Sequence, residues 1–284
     1  RCGRSFRHPS FVRPSLATCR RQPAVASLVE IVERAGLHGE ARGVQVERDL
    51  PDGGVTAVDE QGVPRYGLED ACGLLGLAPH EKYATTTERV WNATRAYIPA
   101  ERLREQREHL GWHLLTNYVV RNADCHAKNI ALYYTSRDDV AFTPIYDVVT
   151  TQAYPRFAGS PPGLSVGGRQ VWAPGRTLET FFNARLSISP RQYTAMVEQL
   201  CESAVAVGKE VIEAAKNEPA WRDVAKQMVH AWNDGMESLR SARSAPQFRG
   251  LEVAITEAGF SGPRAPESGR VQIGRSELLA PRKR

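Results

Sequence analysis

Asn122-Ala-Asp124-Cys-His126-Ala-Lys128-Asn129, followed by Pro144-Ile-Tyr146-Asp147, is the stretch that decides how this chain is read. An apolar run, Leu114-Leu-Thr-Asn-Tyr-Val-Val120, enters a short polar loop holding a carboxylate, an imidazole, an amine and a carboxamide. A second run, Ile130-Ala-Leu-Tyr-Tyr134, leaves it, and a second carboxylate arrives at the end of Val140-Ala-Phe-Thr-Pro-Ile-Tyr146. Phosphoryl transfer uses such a set: one Asp orients a hydroxyl and takes its proton, while an Asn and a second Asp hold the magnesium that neutralises the phosphates. Protein kinases place the base Asp five positions before the metal-binding Asn, and Asp124 stands five before Asn129. Asp and Asn also gather in loops for turn-forming reasons. Spacing alone therefore leaves open a plain β-turn loop with incidental polar residues.

A chain of 284 residues can hold a sizeable core and up to two domains. Its 42% hydrophobic and 24% charged content is that of ordinary globular proteins, which excludes the disordered and fibrous classes. No apolar run approaches the roughly 20 residues that span a bilayer, so no membrane partner is expected. The five cysteines (Cys2, Cys19, Cys72, Cys125 and Cys201) are odd in number, scattered and without a C-x-x-C pair. That argues against a zinc ribbon or a disulfide framework and for a cytoplasmic location. Cys125 beside His126 is a poor metal pair, because adjacent side chains rarely point at one ion.

The net charge of +5 is concentrated at the ends. Arg1, Arg4, Arg7, Arg13, Arg20 and Arg21 precede the first acid, Glu30, and Pro281-Arg-Lys-Arg284 closes the chain. Basic ends can bind nucleic acid electrostatically. Here they read as solvated tails, and direct nucleic-acid binding is not expected.

Residues 1–26 lack periodicity and are expected to be a disordered basic segment. Ser27 to Gly36 predicts a helix, with Ser27 as N-cap and Glu30 at the capping-box position. Val44 to Arg48 alternates like a strand, and Asp52-Gly-Gly reads as a hairpin turn. Leu68, Ala71, Cys72 and Leu75 recur at helical spacing, predicting a helix over 68–77. Glu101 to Val120 predicts a long helix with Leu103, Leu110, Leu114 and Leu115 buried. Strands are expected at Ile130 to Tyr134 and Val140 to Pro144, and a Gly/Pro-rich loop with a short strand over 157–168. Two amphipathic helices follow, Pro190 to Asn217 and Pro219 to Arg240; their aromatic and Met positions read as core. The residues from 244 to 284 show no sustained period and are expected to be mostly disordered.

Taken together, these landmarks resemble the HipA-like serine/threonine kinases, known as toxins of bacterial toxin–antitoxin pairs. That family carries a D-x-H-x-K-N loop, matched by Asp124-Cys-His126-Ala-Lys128-Asn129, and a later Y-D, matched by Tyr146-Asp147. Upstream, Arg65-Tyr-Gly-Leu-Glu69-Asp70 with Gly76, closing at Lys82-Tyr83, looks like the family's R-x-x-x-E-D segment and its K-Y, and Asn117 also fits. The resemblance runs from about Leu28 to about Arg240, with the landmarks in the family's order.

The resemblance implies a mainly α, α+β fold: a protein-kinase-like C-terminal lobe over 27–243, with a truncated or eroded N-terminal lobe. Nothing before Asp124 reads as G-x-G-x-x-G or as a P-loop, and the first lysine of the chain is Lys82. The implied activity is ATP-dependent phosphorylation of a Ser or Thr hydroxyl on a protein, with ATP and magnesium as cofactors. Asp124 would be the base and Lys128 would balance charge on the transferred phosphate. Asn129 and Asp147 would hold magnesium, and His126 would contact the nucleotide with Tyr146 packed against it. A histidine that only braces the loop stays equally open. The alternative from another class is a catalytically dead module that docks an antitoxin-like DNA-binding partner.

Overall fold

The computed structural model describes residues 66–172, 175–240 and 250–260. The helix expected at 27–36, the strand at 44–48, the hairpin at 52–58 and both basic ends lie outside these residues.

A small antiparallel sheet of order β1-β2-β3 packs beside a helical body. It comprises β1 (Gly67–Asp70), β2 (Ala131–Ser136) and β3 (Asp139–Phe142). Here the structure corrects the helix expected over 68–77. Residues 67–70 form a strand, with Leu68 opposite Tyr133 and Asp70 opposite Ala131. Only Ala71–Leu74 is helical (α1). The ladder continues as Ala71 N–H donates to the Ile130 carbonyl (2.8 Å), and the Asp70 carboxylate then caps α1 by accepting from Gly73 N–H (2.8 Å). An Asp at the N-cap halts a strand as effectively as it starts a helix. Leu68, one of the apolar positions on which that helix was expected, is 63% exposed.

Helix α2 (Thr87–Thr94) was not foreseen, although Thr86 is a sound N-cap whose hydroxyl accepts from Arg89 N–H. It buries Val90 and Trp91. The long helix expected at 101–120 is α3 (Leu103–Val119), preceded by one 3₁₀ turn. Gln106 on α3 is buried and its side-chain carbonyl accepts from Phe142 N–H (2.7 Å), while His109 stacks on the Phe142 ring. These two contacts fix β3, and hence the whole hairpin, on α3.

Helix α3 ends in a Schellman closure. Asn122 N–H reaches the Asn117 carbonyl (2.9 Å) and Arg121 N–H the Tyr118 carbonyl (3.3 Å). The left-handed position is Arg121 (φ 55°), where glycine is usual. A non-glycine residue there costs about 1 kcal/mol. Its guanidinium offsets that by donating to the Asp234 carbonyl (2.9 Å) and lying over the Trp172 ring at 4.7 Å.

Helix α4 (Gly175–Leu186) precedes the two amphipathic helices. The first of these, α5 (Pro190–Asn217), has the expected bounds, and the second, α6 (Arg222–Arg240), follows a 3₁₀ turn at Pro219–Trp221. Tyr193, Val197, Leu200, Ala204, Val207 and Val211 of α5 are buried, as are Met228, Trp232, Met236 and Leu239 of α6. Each large apolar side chain so buried contributes about 2 kcal/mol. Within the tail expected to be disordered, residues 250–260 fold back: α7 (Glu252–Glu257) and its flanks bury Leu251, Ile255 and Phe260. No helix among the described residues is long and apolar enough to cross a membrane.

Candidate active site

The loop after α3 and the segment after β3 are joined through one buried amide. Asn122, 1% exposed, donates from Nδ2 to Asn117 Oδ1 (2.7 Å) and to the Asp147 carbonyl (3.1 Å). Its Oδ1 accepts from Asp124 N–H (3.0 Å). One side chain thus positions the backbone of both acidic residues. Asp147 itself sits at φ 56°. Asp tolerates this left-handed region better than most residues, yet strain of this kind gathers at functional sites. Thr151 braces the loop from beneath, its hydroxyl accepting from Ala123 N–H (2.8 Å) and donating to the Arg121 carbonyl (2.9 Å). Gly163 lies so close that a Cβ there would clash with the Ala123 and Cys125 carbonyls.

The fixed side chains come together as follows. Asn129 is buried and gives its Nδ2 to the Asp124 carbonyl (3.0 Å). Among the described residues its Oδ1 takes no hydrogen bond, nor does the exposed carboxylate of Asp147 or Oδ2 of Asp124. Tyr83 donates its hydroxyl to Oδ1 of Asp124. The carboxylates of Asp124 and Asp147 both act electrostatically on Tyr83, Cys125 and His126. Burial, the hydrogen bond to Asp124 and the two carboxylate fields hold the Tyr83 phenol well above its usual range, so it stays a donor.

His126 is 4% exposed and meets the Tyr83 ring edge-on, with centroids 5.0 Å apart. Burial first, then the Lys82 ammonium, push its pKa down, so it is neutral at pH 7. Its Nε2 is 3.9 Å from Asp124 Oδ1, and its buried Nδ1 has no hydrogen-bond partner among the described residues. The ring packs against Tyr83 with this nitrogen unengaged.

Lys128 is engaged by the carboxylate of Asp70. Its ammonium is 2.6 Å from Asp70 Oδ2, and that bond is the main reason its pKa is raised. Tyr146 donates its hydroxyl to the Lys128 carbonyl (2.7 Å); burial, then Asp70 and Asp147, push its phenol up to about 12.

These donors suit a hard, oxygen-seeking divalent cation. Among the described residues the Asp147 carboxylate forms no ion pair. Among the described residues no group of three or more His, Cys, Asp or Glu gathers as a metal cluster. Magnesium keeps water and phosphate oxygens in most of its shell, so one Asn and one Asp oxygen would be enough protein ligands to hold it. Burial, then Asp124 and Asp147, push the Cys125 thiol up to about 12, and its sulfur lies 3.6 Å from His113 Nε2.

His113, 4% exposed beneath the loop, yields a pH prediction. Burial, reinforced by His109, lowers its pKa to about 3. The unfolded chain takes up this proton near pH 6.5, whereas the folded chain refuses it down to about 3. Stability is therefore full above pH 6.5 and falls as pH drops through that window, by about 1.4 kcal/mol per unit from this group. Urea unfolding at pH 7.5 and 5.0 should show a loss of about 2 kcal/mol that His113→Gln removes from the difference.

Sequence reading found the loop and Asp147 but assigned no role to Tyr83, Asp70, Thr151 or Asn122. Tyr83 and Asp70 were visible as landmarks; what they touch was not.

A family profile described as the HipA-like C-terminal domain matches residues 29–208. Among solved structures, the chain is similar to HipA of the Shewanella oneidensis MR-1 toxin–antitoxin system, determined in a complex with HipB and its operator DNA. The TM-score is 0.43 at 21% identity, over 68% of this chain and 46% of that one, so the chain spans less than half the length of that protein. No curated protein matches.

Proposed function

The chain belongs to the HipA-like C-terminal domain family, and from that premise we propose that it carries the catalytic loop and metal-binding residues of an ATP-dependent serine/threonine protein kinase. The observation that carries the reading is the bridge through Asn122, which ties Asp124 and Asp147 together beside an uncommitted Asn129 carboxamide oxygen.

In this reading Asp124 orients the hydroxyl of a protein substrate and accepts its proton through Oδ2, the oxygen that Tyr83 leaves free. Asn129 Oδ1 and Asp147 would hold magnesium, which supplies neutralisation of phosphate charge. Buried His126 and the close-packed Gly163 backbone support the inner side of the loop. The second reading, an inactive module docking an antitoxin-like DNA-binding protein, is favoured by one observation: Asp70 occupies the ammonium of Lys128.

Incubation with magnesium and γ-labelled ATP separates the two. The kinase reading expects label transfer that Asp124→Ala lowers by at least about a hundredfold. Absence of both transfer and nucleotide binding in the unaltered protein would leave the docking module.

A further inference from the structure

We infer that Tyr83 is a positioning residue for the proposed reaction, fixing which oxygen of Asp124 faces the substrate hydroxyl. Its side chain reaches the loop from 41 residues upstream and donates its hydroxyl to Asp124 Oδ1. The contact is set by the backbone as well: the adjacent Lys82 carbonyl accepts from Ala127 N–H (3.1 Å), so the 82–83 segment is strapped along the loop. The Tyr83 ring is held from two sides, by the edge contact with His126 and by the Lys82 ammonium 5.0 Å from its centroid.

A carboxylate half exposed in a loop can rotate about its Cβ–Cγ bond, a broad, two-fold torsion. The hydrogen bonds made by the loop otherwise fix only the Asp124 backbone: Asn122 takes its N–H and Asn129 its carbonyl. Tyr83 alone, among the described residues, donates a hydrogen bond to the carboxyl group itself. With Oδ1 so engaged, Oδ2 is the oxygen left to accept a proton. The phenol donates and does not react.

This role rests on the kinase reading, and one arm of its test does not. In the full chain carrying ¹³Cγ-labelled aspartate, with the Asp124 resonance assigned from Asp124→Asn, Tyr83→Phe is expected to shift that resonance while the other aspartates stay in place. Tyr97→Phe, at an exposed ring, is the control and should shift nothing at Asp124. An unmoved Asp124 resonance in Tyr83→Phe overturns the assignment, whatever the protein's activity. In the kinetic arm, label transfer from magnesium-ATP should fall about ten- to a hundredfold in kcat with KM for ATP unchanged. A loss confined to KM, or none, overturns the positioning role. Should the unaltered protein transfer no label while the resonance still shifts, the kinase reading fails and the contact between Tyr83 and Asp124 stands.

Discussion

Asn122→Ala is expected to destabilise the protein by about 4 kcal/mol and to separate the two acidic residues. Asn122 is almost wholly buried, and its amide serves Asn117 Oδ1, the Asp147 carbonyl and Asp124 N–H at once. Truncation strands these partners, and each buried group left unmet costs about 1–3 kcal/mol. The Asp147 carbonyl matters most, because its residue holds a left-handed backbone conformation that Asn122 helps to secure. Urea unfolding should report the stability loss. Magnesium titration followed by calorimetry should report weaker binding in Asn122→Ala, provided the variant is studied below its unfolding transition. Asn122→Asp, which keeps the acceptor and loses the donor, should recover only the bond from Asp124 N–H.

Gly235→Ala should lower stability by at least about 3 kcal/mol. Gly235 lies in α6, where that helix crosses the end of α3, and a Cβ there would overlap the Val119 carbonyl. Overpacking of a core usually costs about 1–3 kcal/mol, because side chains can shift. Here the obstacle is backbone in the last turn of α3, held by Arg121 and the Schellman closure, so little can yield. Moving α6 away would also strain the bond from Trp232 Nε1 to Thr150 Oγ1 (2.7 Å), next to the Thr151 brace beneath the loop. Thermal unfolding should show the loss, and the Asp124 resonance should broaden or move with it.

Much of this architecture was legible beforehand, and the exceptions have physical causes. Helices α5 and α6 announce themselves because a long helix facing a core must repeat apolar residues at three and four positions, as Val197, Leu200, Ala204, Val207 and Val211 do. Helix α1 and strand β1 were merged because four residues are too few for either period to show, and the boundary is set by a capping bond that Gly73 N–H donates to Asp70. The end of α3 could not be read from a glycine, because Arg121 takes that place with help from residues more than fifty positions away. In the site, residue types and spacing singled out Asp124, Asn129 and Asp147 as candidates. The engagement of Lys128 by Asp70 and of Asp124 by Tyr83 depends on how distant segments fold together, which no local pattern encodes.

The return of residues 250–260 has a practical side. Leu251 is anchored by its N–H to Asn233 Oδ1 (2.8 Å), and its side chain fills the space above Gly208, while the Phe260 carbonyl meets His230 Nε2 at 3.0 Å. A version of the protein cut after α6 would lay bare the oily seam between α5 and α6 that Leu251, Ile255 and Phe260 roof over. Such a shortened chain would stick to its own copies rather than behave as a smaller, simpler unit.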